Sequence, residues 1–350
     1  MKFSLADKQT EIKFVSFREL TVWCQKGCFY IIDANIDREY PEICGNLNHK
    51  YLFAALEENK TLVKAEDIIS CLLLNGANRE SHLIAIGGGI TCDLAGWVAA
   101  NYMRGCQLSF IPTSLIAMID AALGGKTALN FQGSKNLIGS FYPASQVLIA
   151  TDFIKSLSSK MLLAGKAELV KTALLQKGEL LPLLRQDNWI EPETLLEIIM
   201  NAVNFKMTIC TLDPYDKKQR RLLNLGHTFA HVIESALNYQ VEHGRAVAIG
   251  IAAAANLSFI RNMIDIKRYD NILQLLQDSF PQNYFFVDSR EFAVIEKKGQ
   301  EFFLHDKKAG KTSRVVLFNG INDVIITEAV SWQEILASIN TYENKGGFNA

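Results

Sequence analysis

The stretch that most limits what this chain can fold into runs HLIAIGGGITCDLAGWVAANYM, from His82 to Met103. An apolar run enters three glycines, and a helical pattern follows at once. Apolar residues in a short run make a buried strand, and glycine lets the backbone turn sharply out of it. A second apolar run, QLSFIPTS, comes next, and CFYIID (Cys28 to Asp33) comes before. Strand, glycine turn, helix, strand is a βαβ unit, which implies a parallel sheet. From about Ser156 the pattern changes to long helices: KMLLAGKAELVKTALL, LLEIIMNAVNFKMTI, GHTFAHVIESALNY and RAVAIGIAAAANLSFIRNMI. Near the end, SRVVLFN and DVIITEAV flank Gly320 as the arms of a hairpin would. A length of 350 residues favours two domains. The expectation is an α/β chain with a parallel-sheet domain over 1–155 and a mainly α-helical domain over 156–350.

Charge narrows the partners. The net charge is −1, so no global basic field calls for nucleic acid or an anionic membrane. Any anionic ligand has to be held by a local cluster. The seven cysteines (Cys24, Cys28, Cys44, Cys71, Cys92, Cys106, Cys210) are scattered and form no CxxC pair, which suits reduced thiols in the cytoplasm. The opening MKFSLADKQTEIK has no apolar core of signal-peptide length. No uninterrupted apolar run reaches the ~18 residues of a membrane span. A soluble, cytoplasmic protein with no membrane partner is expected.

Three motifs bear on chemistry. GGGITCD, Gly87 to Asp93, stands where strand passes to helix. A helix N-terminus there favours a pyrophosphate, but the spacing is not GxGxxG, and a bare tight turn fits as well. GGKT, Gly124 to Thr127, is not a P-loop, because Asp120 stands where the first glycine is required. Read as a loop, its glycines and Lys126 still suit phosphate. LNLGHTFAHVIE carries His227 and His231 one helical turn apart, and Thr228 replaces the glutamate of HExxH, which argues against a metalloprotease. His243 opens a nearly all-apolar helix, and AGKAELVK puts Glu168 and Lys171 on one helix face. A half-buried Glu needs a partner. Glu plus two His around an open position is a catalytic zinc set, while histidines of purely structural use fit the spacing equally.

Taken together, GGGITCDLAGWVAANYMRG, IPTSLIAMIDAALGGKTALN, SKNLIGSFYPASQVLIATD, AGKAELVK and LNLGHTFAHVIE…HGRAVAIG resemble the 3-dehydroquinate synthase family. Order and spacing agree from about Asp33 to HDKKAG, His305 to Gly310. The resemblance implies a Rossmann-like N-terminal domain, a C-terminal helical metal-binding domain, and a homodimer. It implies conversion of 3-deoxy-D-arabino-heptulosonate 7-phosphate to 3-dehydroquinate and phosphate, in the shikimate pathway of aromatic amino acid biosynthesis. The route is transient oxidation, phosphate elimination, reduction and intramolecular aldol closure. The cofactors are NAD+ and a divalent metal, zinc by preference and cobalt as a substitute. Glu168, His227 and His243 would ligate the metal, and His231 would face the substrate phosphate. Asp33 and Asn35 would meet the adenosine side of NAD+. Glu57 and Lys60 fall on a GExxK element. Gly88, Gly89 and Asp93 would hold the pyrophosphate and ribose region, with Thr113, Ser114, Phe153 and Ser156 also on the cofactor. Lys126, Lys135, Asn136 and Asn224 would line the cofactor and phosphate end, and Arg104 would reach across the dimer. Lys206 and Arg220 would clamp the carboxylate, Asp120 and Lys171 would contact ring hydroxyls, and Lys307 or Lys308 would close on the phosphate.

Four positions depart from the family pattern. Leu56 replaces the glycine of GExxK, and Cys92 replaces the glycine before Asp93. Asp216, counted here among the catalytic residues, stands for a longer glutamate. Arg245 replaces the acid of HGE. A cation at a helix N-terminus opposes the macrodipole, so Arg245 beside a dication is expected to weaken metal retention. The alternatives are another sugar-phosphate cyclase of the inosose or valiolone type, a metal-dependent NAD-linked polyol dehydrogenase, and a non-catalytic relic. Lys206 and Arg220 speak against a cyclase whose substrate lacks the carboxylate.

Overall fold

The computed structural model describes residues 1–23, 28–176, 180–186, 188–308, 314–320 and 323–339, the side chains of 304–308 excepted. Nine strands occupy the first part of the chain: β1 (Lys2–Leu5), β2 (Lys8–Phe14), β3 (Phe29–Asp33), β4 (Lys50–Phe53), β5 (His82–Gly87), β6 (Gln107–Pro112), β7 (Lys126–Phe131), β8 (Ser134–Phe141) and β9 (Gln146–Ile149). Seven of them form one sheet in the order β1-β2-β9-β6-β5-β3-β4. Only the β1–β2 pair is antiparallel. The expected parallel sheet is present, and its strands are apolar because helices cover it: every residue of β5 after His82 is buried. The chain leaves β3 for β4 on one side and later builds β5, β6 and β9 on the other. The order therefore reverses between β3 and β5, and ligands of open α/β sheets bind at the carboxyl ends of the strands at such a point. Ile32 pairs with Ile86, so Asp33 and Gly87 end neighbouring strands at one level.

Helix α1 (Gly89–Asn101) starts at the glycines themselves, so Asp93 lies one turn inside it. The stretch expected as a loop before Lys126 is a turn at Gly124 and Gly125, both at positive φ, but Lys126 itself opens β7. β7 and β8 form a separate two-stranded ribbon that the apolar pattern does not announce.

Four further helices complete the frame of the site: α2 (Ser159–Leu175), α3 (Pro192–Leu212), α4 (His227–Ala236) and α5 (His243–Ile260). After them come α6 (Ser289–Lys308) and the antiparallel pair β10 (Val315–Asn319) and β11 (Asp323–Thr327), the hairpin expected around Gly320. Internal packing divides the chain into two compact units, Met1–Leu162 with Ile190–Asp216, and Leu163–Trp189 with Lys217–Ala350. Helix α3, which lies beyond residue 155, thus joins the sheet-bearing unit. Helices α3 and α5 are long and apolar enough to cross a membrane by composition, but 72% of the α5 window is buried inside the protein. Its apolarity serves the core. The six described cysteines are free, and Cys24 lies outside the described residues.

Candidate active site

Three helices of the second unit converge through two backbone contacts. A Cβ on Gly244 would overlap the backbone of Ala164, so the start of α5 lies directly on α2. A Cβ on Gly250 would overlap the Gly226 carbonyl, and Gly226 itself sits at φ +79 as the N-cap of α4. Only glycine takes that conformation without strain while allowing so close an approach. These contacts bring Glu168 of α2, His227 of α4 and His243 of α5 together, with one ligand atom from each lying within 4.8 Å of the others.

Glu168 is 2% exposed, and neither of its oxygens accepts a well-formed hydrogen bond. Instead three cationic or potentially cationic nitrogens approach: Lys171 Nζ at 2.5 Å, His243 Nε2 at 3.3 Å and His227 Nε2 at 3.5 Å. A buried carboxylate without full hydrogen bonding is costly unless a cation completes it. Burial pushes the Glu168 pKa upward, but Lys171 and the two histidines outweigh it and hold the group well below the usual carboxylate range. His227 is pushed down, first by burial and then by the Lys171 charge, so its imidazole is neutral. Its Nδ1 lies 3.3 Å from the Leu225 carbonyl, which fixes the proton there and leaves the Nε2 lone pair facing Glu168. Burial would push His243 down too, yet the Glu168 and Glu234 carboxylates overcome it and push it up. In the metal-free protein a proton on His243 thus stands where a cation's charge would. Metal binding displaces such protons. Donor types, geometry and the incomplete Glu168 oxygens all fit a divalent ion with an open position.

The first unit holds the cofactor candidates. Gly88 caps α1 without any side-chain cap, leaving first-turn N–H groups for an anion. Added Cβ atoms at Gly88 and Gly89 would sit 3.4 Å from Ser114 Oγ and 3.2 Å from Ala121 Cβ, so the turn is closely walled. The Thr113 N–H donates to the Gly87 carbonyl at 3.0 Å. Asp33 caps a short helix by accepting from the Asn35 N–H, and the Asn35 carboxamide accepts from Arg38. Lys60 is buried at the centre of a polar cluster. Its ammonium lies 3.0 Å from Asp93, 3.5 Å from Glu57 and 2.5 Å from Asn136 Oδ1. Burial pushes Asp93 up to about 6 against the pull of Lys60. Phe153, expected on the cofactor, is fully buried, with its ring against Phe17 and Tyr40 and its carbonyl accepting from Ser156 Oγ.

Lys206 and Lys126, two of the lysines expected to hold anions, are each paired with an aspartate. Lys206 of α3 donates to the Asp120 carbonyl and to its carboxylate, both at 2.6 Å. Lys126 is ion-paired with Asp216, the residue one methylene short of the family's glutamate. Lys135 is half-buried on β8. Arg104 is exposed at φ +66 on the turn after α1. In the second unit Arg220 is 3% exposed, while Asn224 and His231 are exposed, with the His231 ring 5.8 Å from that of His227. The side chains of Lys307 and Lys308 lie outside the described residues.

Three participants escape sequence reading. Glu234 is buried 3.4 Å from His243 Nδ1. Its seven-residue spacing from His227, two helical turns, was the available signal. Asn130 donates to Glu57 Oε1 and accepts from the Asn136 N–H, fastening that cluster. Glu291 holds Arg245 bidentately, at 2.5 and 2.8 Å. The expectation that Arg245 adds bare positive charge near the metal is therefore corrected: its guanidinium has its own carboxylate.

Two family models meet end to end on this chain. The model described as 3-dehydroquinate synthase N-terminal matches residues 50–164, and that described as 3-dehydroquinate synthase C-terminal matches 165–309. A 3-dehydroquinate synthase of Campylobacter concisus (strain 13826) is 35% identical over 289 residues, 82% of each chain. Among solved structures, 2-deoxy-scyllo-inosose synthase complexed with carbaglucose-6-phosphate, NAD+ and Co2+ superposes with a TM-score of 0.82. It is 27% identical and covers 97% of this chain and 98% of its own. The 2-epi-5-epi-valiolone synthase of Streptomyces hygroscopicus subsp. jinggangensis 5008, with NAD+ and Zn2+ bound, gives 0.80 at 25% identity, over 96% and 97%. With both halves of one family's description matched in order over residues 50–309, the chain belongs to the 3-dehydroquinate synthase family.

Proposed function

We propose that the chain converts 3-deoxy-D-arabino-heptulosonate 7-phosphate to 3-dehydroquinate and phosphate, a phosphorus–oxygen lyase reaction, with NAD+ and one divalent ion bound. The observation that carries this is the Glu168, His227 and His243 set around incompletely bonded carboxylate oxygens, with buried Lys171 alongside. Glu168, His227 and His243 would hold the metal, which when bound would supply polarisation of substrate hydroxyls, and NAD+ would supply a transient hydride acceptor.

The chain's own residues do the rest. Lys171 keeps Glu168 ionised and donates to a ring hydroxyl, as Asp120 accepts from another. Lys206 and Arg220 grip the substrate carboxylate; a guanidinium does so with a matching fork. Lys126, Asn224 and His231 take the phosphate, with Lys307 or Lys308 closing on it. Lys206 and Lys126 are each neutralised by an aspartate, so an arriving anion replaces Asp120 on one and Asp216 on the other. That exchange lets a chain of net charge −1 bind a phosphate and a carboxylate without a strongly cationic empty site. The Lys60 cluster and the glycine turn hold NAD+. We assign the cofactor to the part up to residue 155 and the metal to the part beyond, in a cytoplasmic homodimer whose exposed Arg104 reaches the partner.

The test is phosphate release, with and without a chelator, from the heptulosonate phosphate and from a sugar phosphate lacking the carboxylate. Release from the first alone, abolished by the chelator, is expected. Release from the second alone favours an inosose or valiolone type of cyclase.

A further inference from the structure

The carboxylate of Glu234 has no part in the reaction as proposed, yet its position is expensive. It is 3% exposed, two residues from the end of α4, among the buried apolar residues Val232, Ile233 and Ala236. A buried charge costs several kcal/mol unless it is paired, on the order of the penalties for other buried ions. An acid near a helix C-terminus also opposes the macrodipole. If the site served packing alone, an apolar side chain would serve it better.

Glu234 Oε1 lies 3.4 Å from His243 Nδ1, and the opposite nitrogen of that ring, Nε2, lies 3.3 Å from Glu168 Oε1. A neutral imidazole has one N–H and one lone pair. An ionised carboxylate only accepts, so Glu234 draws the N–H to Nδ1 and turns the Nε2 lone pair toward the cation's position. The other histidine is oriented differently, because His227 Nδ1 faces the neutral carbonyl of Leu225. One ligand is thus backed by a charge and the other by a dipole. We propose that Glu234 is a positioning residue: through His243 Nδ1 it sets the tautomer and raises the donor strength of that ligand, and so governs divalent metal affinity.

The inference rests on the metal reading given above. The test uses full-length protein stripped of metal, the Glu234→Gln and Glu234→Ala variants, and Zn2+ titration against a chromophoric chelator. Removing such a supporting partner typically weakens metal binding about 10- to 100-fold. Glu234→Ala is expected to lose affinity in that range. Glu234→Gln keeps an acceptor but not the charge, and is expected to recover part of the loss. The thermal midpoint of the metal-free protein should fall in both, and less in Glu234→Gln, because protonated His243 loses a charged partner. The readout independent of stability is the spectrum of the loaded protein. The visible spectrum of the Co2+-loaded form should shift in Glu234→Ala. Unchanged Zn2+ affinity in a folded Glu234→Ala protein overturns the inference, as does an affinity loss with an unchanged Co2+ spectrum in that variant. Failure of the wild-type protein to bind Zn2+ at all would instead overturn the metal reading on which it rests.

Discussion

Arg245→Glu restores the acid that the family pattern carries at this position, and the structure predicts that the restoration does harm. The guanidinium makes two hydrogen bonds to Glu291 and a third to the Phe286 carbonyl. Glu291 also accepts from the Asp288 N–H while Asp288 accepts from the Glu291 N–H, a reciprocal cap on the start of α6. Breaking a fully buried pair by removing one partner costs about 3–5 kcal/mol. Here the side chains are 25% and 22% exposed, so about 2 kcal/mol is the better figure. The new carboxylate then faces Glu291. At roughly 5 Å and an effective dielectric near 20, like charges repel by at most about 3 kcal/mol. The expected destabilisation is about 2–4 kcal/mol, read by denaturant unfolding of the metal-free protein, with no gain in Zn2+ affinity. Glu291→Arg in the same chain should recover most of it, with a coupling energy of about 1–3 kcal/mol from the double-mutant cycle. An Arg245→Glu protein as stable as the wild type, and holding zinc more tightly, would refute this reasoning and return Arg245 to the role of a cation that merely weakens the site.

Other outcomes follow from the same contacts. Gly250→Ala drives a Cβ into the Gly226 carbonyl; overpacking of about 1–3 kcal/mol, less about 1 gained in helix propensity, leaves a small loss of stability. Because His227 follows Gly226, zinc affinity should fall at least about tenfold, and chelator competition checks it. Burial lowers the His82 pKa, and its Nε2 lies 2.8 Å from Ser109 Oγ. The unfolded chain therefore takes up a proton below about pH 6.5 that the folded chain refuses, so stability falls as pH drops through that value. The thermal midpoint of His82→Gln should fall less between pH 7.5 and 5.5, and an unchanged slope would contradict the argument. Arg220→Lys keeps the charge and loses the fork, so kcat/KM for the heptulosonate phosphate should drop about tenfold or more, roughly 1.4 kcal/mol. An unchanged kcat/KM would remove Arg220 from the carboxylate.

The parallel sheet was legible because its central strands are buried on both faces and read as unbroken apolar runs ending at Asp33, Gly87 and Pro112. The β7–β8 ribbon was not, since β8 buries no residue and has no apolar face to announce it. The metal set was legible as residue types but not as a site. Spacing within α4 separates His227 from His231 by one turn, yet only the Gly226–Gly250 and Gly244–Ala164 contacts decide that His243, not His231, joins Glu168. Glu234 and Glu291 were visible as letters. What they pair with lies on other helices, and periodicity within one helix carries no information about that. Likewise, nothing local in LLEIIMNAVNFKMTI says that Lys206 will reach Asp120, 86 residues away.

The central claim is that this chain oxidises its substrate only in passing. The measurement that tests it most directly is turnover of the heptulosonate phosphate with NAD+ at about one-tenth of the enzyme's substrate load, following phosphate release and NADH absorbance together. Complete conversion with no accumulating NADH is predicted. Phosphate release that stops when the NAD+ is spent, with one NADH formed per product, would contradict the account and mark the chain as a dehydrogenase.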